Sequence, residues 1–196
     1  MTRLVFIDIE TSGLNRFKHA IIQIGAVAVD HNLEAIDAFD RRIKFKEENA
    51  DPAALIINGY DRDLWDKEGV KPKDAANDFA KFLREYADVD LVSKRGKPYT
   101  VAQLAGHNAD RFDGPFLQEW YKRLDQFLPA SYRLLCTYQR AMWYFLERQI
   151  TAPADFKLTT LCEYFDIPLD NAHDALHDVR ATLELYRRLT KEQGTP

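Results

Sequence analysis

The chain lacks most of the features that would place it outside a reduced aqueous compartment. Its 196 residues include two cysteines, Cys136 and Cys162, too few for a disulfide framework. No apolar run reaches the roughly 18 residues that a membrane span needs, so no membrane association is expected. The first β-forming stretch begins at once, leaving no room for a signal peptide, and a cytoplasmic location is expected. No Pro/Gly/Ser-rich linker, charge block, repeat or low-complexity tract divides the sequence. Residues 1–196 therefore read as one domain with one core. Excess positive charge is missing as well: the formal net charge is −4, which excludes coating of a polynucleotide by bulk attraction. Any such ligand must be held locally, with cations helping.

What is present centres on residues 5–14, VFIDIETSGL. Val5, Phe6, Ile7 and Ile9 are β-formers and Gly13 ends the run, so the stretch reads as a buried strand followed by a turn. Successive strand side chains alternate between faces, which puts Asp8 and Glu10 on one face at a spacing of roughly 6 to 7 Å. Two uncompensated carboxylates in a core strand are very costly. A cation between them resolves the conflict, and Mg²⁺ or Mn²⁺ prefer carboxylate oxygens. The bland alternative is an edge strand with both acids in water.

Further strands are expected over residues 21–29 and 35–45, joined by a hairpin at 30–32. Pro52 starts a short helical turn that Asn58 and Gly59 break, and residues 61–67 are too polar and aromatic to assign. Helical spacing marks 73–86 as the first long helix. Residues 90–99, with Lys94, Arg95, Gly96 and Lys97, read as a basic turn, either a solvated loop or a phosphate contact. A fourth strand over 100–105 leads into an amphipathic helix carrying Phe116, Leu117, Trp120, Leu124 and Phe127. A short fifth strand is expected at 133–136, then helices over 137–149 and 158–165, and a long helix from near Asp174 to before Gly194. Early strands, late helices and a single central crossover give an α/β fold on a mixed five-stranded sheet flanked by helices.

In the last helix, at about 100° per residue, Ala175, Val179, Thr182, Leu183, Tyr186 and Leu189 form one apolar stripe. Asp178 falls on its edge and needs a partner, or else snorkels to water. His177 points away with Glu184 and Arg188, as a solvated histidine. His173 can converge with Asp178 only if it precedes the helix in extended backbone, with Asp174 as the N-cap; otherwise it is an ordinary surface histidine. Asp113, ahead of Gly114 and Pro115, is an acceptable N-cap for its helix, and Asp110 competes with it as a functional acid. Spacing does not separate the two.

The pieces FIDIETSGL, GHNADRFDGPFLQ and HDALHDVRAT resemble the three exonuclease motifs of the DnaQ-like DEDDh superfamily, whose fold is RNase H-like. Position by position, the resemblance selects Asp8, Glu10, Asp113, Asp178 and His173 and leaves Asp110, Asp174 and His177 aside. DPAALIINGY resembles the family's Pro-x-Ala-x-x-Ile-x-Gly segment near the active site, and LLCTYQRA the strand-helix unit after the second motif. Two residues, Asp110 and Arg111, separate HNA from FD where many members have one. That longer form resembles the animal three-prime repair exonucleases and the bacterial exonuclease I group.

The resemblance implies a 3′-5′ exonuclease that releases nucleoside monophosphates from single-stranded or frayed DNA or RNA ends. It implies two divalent metal ions, Mg²⁺ or Mn²⁺, on Asp8, Glu10, Asp113 and Asp178, with His173 as the general base. A charge of −4 on four carboxylates balances +4 on two ions. By the same resemblance Thr11, Ser12 and Gly13 hold the terminal nucleotide, Leu14 wedges beside its base, and Asn108 and Phe112 add polar and stacking contacts; core packing is the alternative for Leu14 and Phe112. A polymerase partner is compatible with the family. Two rivals are a zinc hydrolase built on HDALH, a near relative of HExxH, and a non-catalytic module that grips nucleic-acid ends or a polymerase.

Overall fold

The computed structural model describes residues 3–169 and 173–190. Its elements run β1 (Leu4–Thr11), β2 (Ile21–Val29), β3 (Ala35–Arg42), α1 (Pro52–Ile57), α2 (Arg62–Glu68), α3 (Pro72–Glu85), β4 (Val89–Val92), β5 (Pro98–Val101), β6 (Gln103–Gly106), α4 (Asp113–Arg123), β7 (Leu135–Cys136), α5 (Thr137–Arg148), α6 (Leu158–Tyr164) and α7 (Ala175–Thr190). The main sheet has the order β3-β2-β1-β6-β7. β1 pairs antiparallel with β2 and parallel with β6, and β7 adds parallel to β6. The expected mixed five-stranded sheet of an RNase H-like fold is therefore present. No described helix is long and apolar enough to cross a membrane.

β1 lies in the middle of the sheet, which removes the edge-strand explanation for its two acids. Alternation decides what each face of β1 meets. Val5, Ile7 and Ile9 enter a core with Phe79 and Leu83 of α3 and Phe116 and Leu117 of α4. Phe6 faces the other way, against Val27, Val29 and Val179 and Leu183 of α7. Asp8 and Glu10 share the face of Phe6, so they point toward α7.

The helix α7 is buried over a wider arc than the sequence stripe suggests. Ala181 and Leu185, outside that stripe, join Leu189 in a further apolar face with Tyr144, Phe145 and Leu161 from α5 and α6. A helix sandwiched between a sheet and two other helices needs two apolar faces, and the polar face shrinks accordingly. The expected end of this helix before Gly194 lies outside the described residues.

Four local expectations change. The unassigned 61–67 stretch contributes most of α2 (Arg62–Glu68), whose start is capped by the Asp61 side chain accepting from Leu64 N–H. β3 ends at Arg42 rather than at 45, because the chain leaves β2 to bond the segment before α3, with Val70 N–H donating to Arg42 O and Lys44 N–H to Val70 O. The supposed basic turn is a β-hairpin, β4 pairing antiparallel with β5, and the expected strand over 100–105 is divided into β5 and β6. Four-residue strands carry too little periodicity to register, and the Lys94–Lys97 cluster is only their tip.

Candidate active site

The first motif is shaped at its C-terminal end by the turn 12–19. Gly13 has φ +145°, and a Cβ there would lie 2.3–2.8 Å from the His19 ring. Only glycine avoids both problems. His19 Nδ1 in turn accepts from Asn15 N–H at 3.0 Å, and Ser12 Oγ accepts from Ala20 N–H at 2.9 Å. Asn58, at the end of α1, donates its side-chain amide to Thr11 O at 2.8 Å. In the sequence Asn58 registers only as a helix breaker. Leu14 projects into solvent, 81% exposed, so it is no core residue; Phe112 is half-buried with its ring centroid 4.9 Å from that of Phe116.

The second motif is delivered where β6 parts from β1. β6 pairs with β1 only through Leu4, Val5 and Phe6, which leaves the later backbone of β1 open on that side. The intervening residues turn through Asn108, at φ +58° and exposed, with its carbonyl accepting from Arg111 and Phe112 N–H at 3.1 Å. Asp113 is then the first residue of α4 rather than its N-cap, and it is buried. Its Oδ1 accepts from Ile9 N–H at 3.0 Å, so it sits on the strand between the two first-motif acids. Asp110 accepts from Gln139 at 3.0 Å instead, turned toward α5. The tertiary structure thereby separates two acids that spacing left equal. His107, ahead of this loop, is a brace: its ring nitrogens lie 2.9 Å from Thr137 Oγ1 and from Phe156 O, and burial holds its pKa down.

The third motif arrives over β2. Gly25 lies directly opposite Asp8 in the β1–β2 register. A Cβ on Gly25 would stand 2.4–2.6 Å from the backbone of Ala175 and Leu176, so the missing side chain is what lets the start of α7 rest on the sheet. Asp178, one turn further, is thereby brought beside Glu10. Gln23, a lone amide in an otherwise apolar and wholly buried strand, reaches from the position opposite Glu10 to Asp40 Oδ1 at 3.0 Å and Asp174 Oδ2 at 3.3 Å. Its polarity within IIQIGAVAV was a readable signal that sequence reasoning passed over. Asp174 caps α7, accepting from His177 N–H at 3.3 Å, and its Oδ1 lies 3.1 Å from His177 Nδ1. His177 is thus a partner of the cap rather than a freely solvated side chain.

His173 converges with Asp178 by a different route from the expected extended backbone. Its φ is +71°, and its N–H donates to Asp178 Oδ2 at 3.1 Å. Left-handed backbone at a non-glycine residue costs of order 1–3 kcal/mol and persists only where surrounding contacts impose it. The result is a group in which ligand atoms of Glu10, His173 and Asp178 all lie within 4.8 Å of one another. His177 belongs to no such group among the described residues, which removes the paired-histidine zinc reading of HDALH.

Electrostatically the cluster resists ionisation when no cation is bound. Burial, then the Asp113, Glu10 and Asp178 carboxylates, raise Asp8 well above its usual range. Burial first and Asp178 next push Glu10 from 4.5 to about 9, and burial pushes Asp113 to about 7. Asp178 is also raised by burial, and its Oδ1 is a buried acceptor with no donor among the described residues. Hard oxygen ligands, an orphaned carboxylate oxygen and mutually raised acids together suit divalent cations. A group bound more tightly to its proton in the folded state stabilises the fold below its unfolded pKa and loses that effect as pH rises through the folded value. In EDTA, the melting temperature is therefore expected to fall as pH rises from about 4.5 to about 9, the window set by Glu10, and Mn²⁺ should restore it most at the alkaline end. A melting temperature that rises with pH across that window in EDTA contradicts this account.

The exonuclease family model matches residues 5–91 and 99–186; the unmatched interval covers the tip of the β4–β5 hairpin. The PolC-type DNA polymerase III of Bacillus subtilis (strain 168) is 30% identical over 193 residues, covering 97% of this chain and 12% of that protein. Ribonuclease T of Shewanella sp. (strain W3-18-1) is 29% identical over 189 residues, covering 93% of this chain and 78% of that protein. The chain thus spans about an eighth of the polymerase relative and more than three quarters of the ribonuclease. In fold it is similar to E. coli exonuclease I in complex with a dT13 oligonucleotide, with TM-score 0.79 at 20% identity, covering 98% of this chain and 42% of that one. The zinc-bound exonuclease I complex with single-stranded DNA gives a TM-score of 0.78.

Proposed function

Because this chain belongs to the exonuclease family, within the DnaQ-like superfamily of RNase H-like fold, we propose that it is a metal-dependent 3′-5′ exonuclease releasing nucleoside monophosphates from single-stranded or frayed nucleic-acid ends. The observation that carries this reading is the convergence of Glu10, His173 and Asp178 beside Asp8 and Asp113, from three segments distant in the chain. Asp8, Glu10, Asp113 and Asp178 would hold two divalent ions, Mg²⁺ or Mn²⁺. Such ions, when bound, stabilise charge on phosphoryl oxygens and acidify the attacking water.

The chain's own groups do the rest. His173 is exposed at the rim and would accept the proton of the attacking water as general base. Asp178, by accepting the His173 N–H, keeps the left-handed turn from relaxing and so positions the ring. Thr11, Ser12 and Gly13, braced by Asn58, would line the place of the terminal nucleotide. Leu14, projecting freely, wedges beside its base, while Asn108 and Phe112 bound the other side. A stacking surface accepts any base, so low sequence preference is expected. The ribonuclease and polymerase relatives and the DNA-bound exonuclease I neighbours support a nucleic-acid substrate, and a polymerase partner is consistent with the PolC relative.

The test is turnover with Mg²⁺ or Mn²⁺ on labelled single-stranded DNA and RNA side by side. Mononucleotide release that EDTA stops is expected. His173→Ala should slow it at least about 100-fold, the usual range for losing a general base, and His177→Ala should leave most of it. Tight binding without release overturns the enzymatic reading in favour of an end-gripping module. A dead His177→Ala would reassign the base.

A further inference from the structure

On the sheet face opposite Asp8 and Glu10, a groove of about 500 Å³ opens behind the turn that follows β1. Phe116 and Trp120 of α4 and Phe45 contribute its apolar surface, and Arg16, Lys18, Lys44, Lys46 and Arg123 its cations. Among the described residues, no carboxylate lines it. In a chain of net charge −4, five cations around one concavity are not a sample of the average surface. Arg123 is paired with Glu119 at 3.1 Å. The other four make no ion pair among the described residues, and all five are exposed.

Lys44 stands on fixed backbone: Ile43 N–H donates to Ile22 O at 2.7 Å and Lys44 N–H to Val70 O at 2.9 Å. Ser12 lines the groove and also belongs to the turn that frames the acidic site. The groove and the site are therefore the two sides of one turn. A polyanion approaching four carboxylates meets repulsion, and a cationic surface adjacent to them offsets it. Unpaired lysines and aromatic rings lining one groove are the combination that holds a single strand, phosphates on the cations and bases on the rings.

We propose that this groove is a second contact for single-stranded nucleic acid, gripping the sugar-phosphate backbone outside the acidic site and making affinity depend on strand length and salt. The proposal rests on the exonuclease reading, and its test separates the two. The variant is Lys44→Gln with Lys46→Gln, both outside the proposed catalytic and terminal-nucleotide groups. Binding of a labelled single strand of about twenty nucleotides would be followed by anisotropy in Ca²⁺ from about 50 to 200 mM salt. Hydrolysis of the p-nitrophenyl ester of thymidine 5′-monophosphate, too small to reach the groove, would be followed in Mn²⁺.

Affinity for the oligonucleotide should fall about tenfold at the lowest salt. The slope of log affinity against log salt should flatten by about 1.4, two phosphates at about 0.7 each. Ester hydrolysis should stay within about twofold. Unchanged oligonucleotide affinity and slope overturn the groove assignment, as does a loss seen only with blunt duplex. If wild-type protein fails to hydrolyse the ester or any oligonucleotide yet the variant still loses affinity, the groove stands and the exonuclease reading falls.

Discussion

Asp8→Asn is expected to abolish turnover while raising the melting temperature of the metal-free protein. The two effects have one cause. Asp8 sits where burial and the Asp113, Glu10 and Asp178 carboxylates all oppose its ionisation. In the absence of cations the neutral amide is the less costly occupant of that position, being of nearly the same shape and carrying no charge. Relief of even about 1 kcal/mol shifts the midpoint of a domain this size by roughly 2–4 °C. With cations bound, the same substitution removes a charged ligand. Loss of a group that merely supports a ligand from behind costs about 10–100-fold in affinity or activity, so loss of the ligand itself should exceed about 100-fold. The measurements are oligonucleotide hydrolysis in Mn²⁺ and thermal unfolding in EDTA at pH 8. A variant that keeps its activity removes Asp8 from the site, and one that melts lower in EDTA shows that the acid cluster is not the strained element described here.

Gly25→Ala should lose activity without unfolding, although Gly25 itself has no functional group. The added methyl would meet the backbone of Ala175 and Leu176 at 2.4–2.6 Å, and main chain at the start of a helix cannot turn aside as a side-chain tip does. Overpacking of this kind costs about 1–3 kcal/mol. The helix α7 nevertheless stays docked, because Val179, Leu183, Leu185 and Leu189 are all buried and each contributes about 1.5–3 kcal/mol. The strain is therefore released at the N-terminal end, which carries Asp178 and His173 away from Glu10. A displacement of about 1 Å can cost on the order of 100-fold in rate, so kcat should fall by about that factor while the melting temperature drops only several degrees. Near-normal kcat with an unchanged melting temperature would show that α7 has room to spare over β2.

Much of this architecture was legible in the residues themselves. The VFIDIE run announced a buried strand with two acids on one face, because a period of two is a property of extended backbone and nothing else is needed to apply it. The stripe in α7 likewise announced the face that meets the sheet. The β4–β5 hairpin and α2 escaped notice because they are short and partly polar, and their form depends on what they pack against. Gln23 and Asn58 were visible as a polar residue in an apolar strand and as a helix breaker, but their partners, Asp174 and Thr11 O, lie far away in the chain.

By itself, then, the sequence determined which residues alternate, which are apolar on one side and where turns must fall, since those follow from local backbone geometry. Only the tertiary structure decided that Asp113 rather than Asp110 meets β1, that His173 reaches Asp178 through left-handed backbone, and that α7 can lie against Gly25. Each of those depends on the distance between segments brought together by the core, and no local rule of spacing contains that distance.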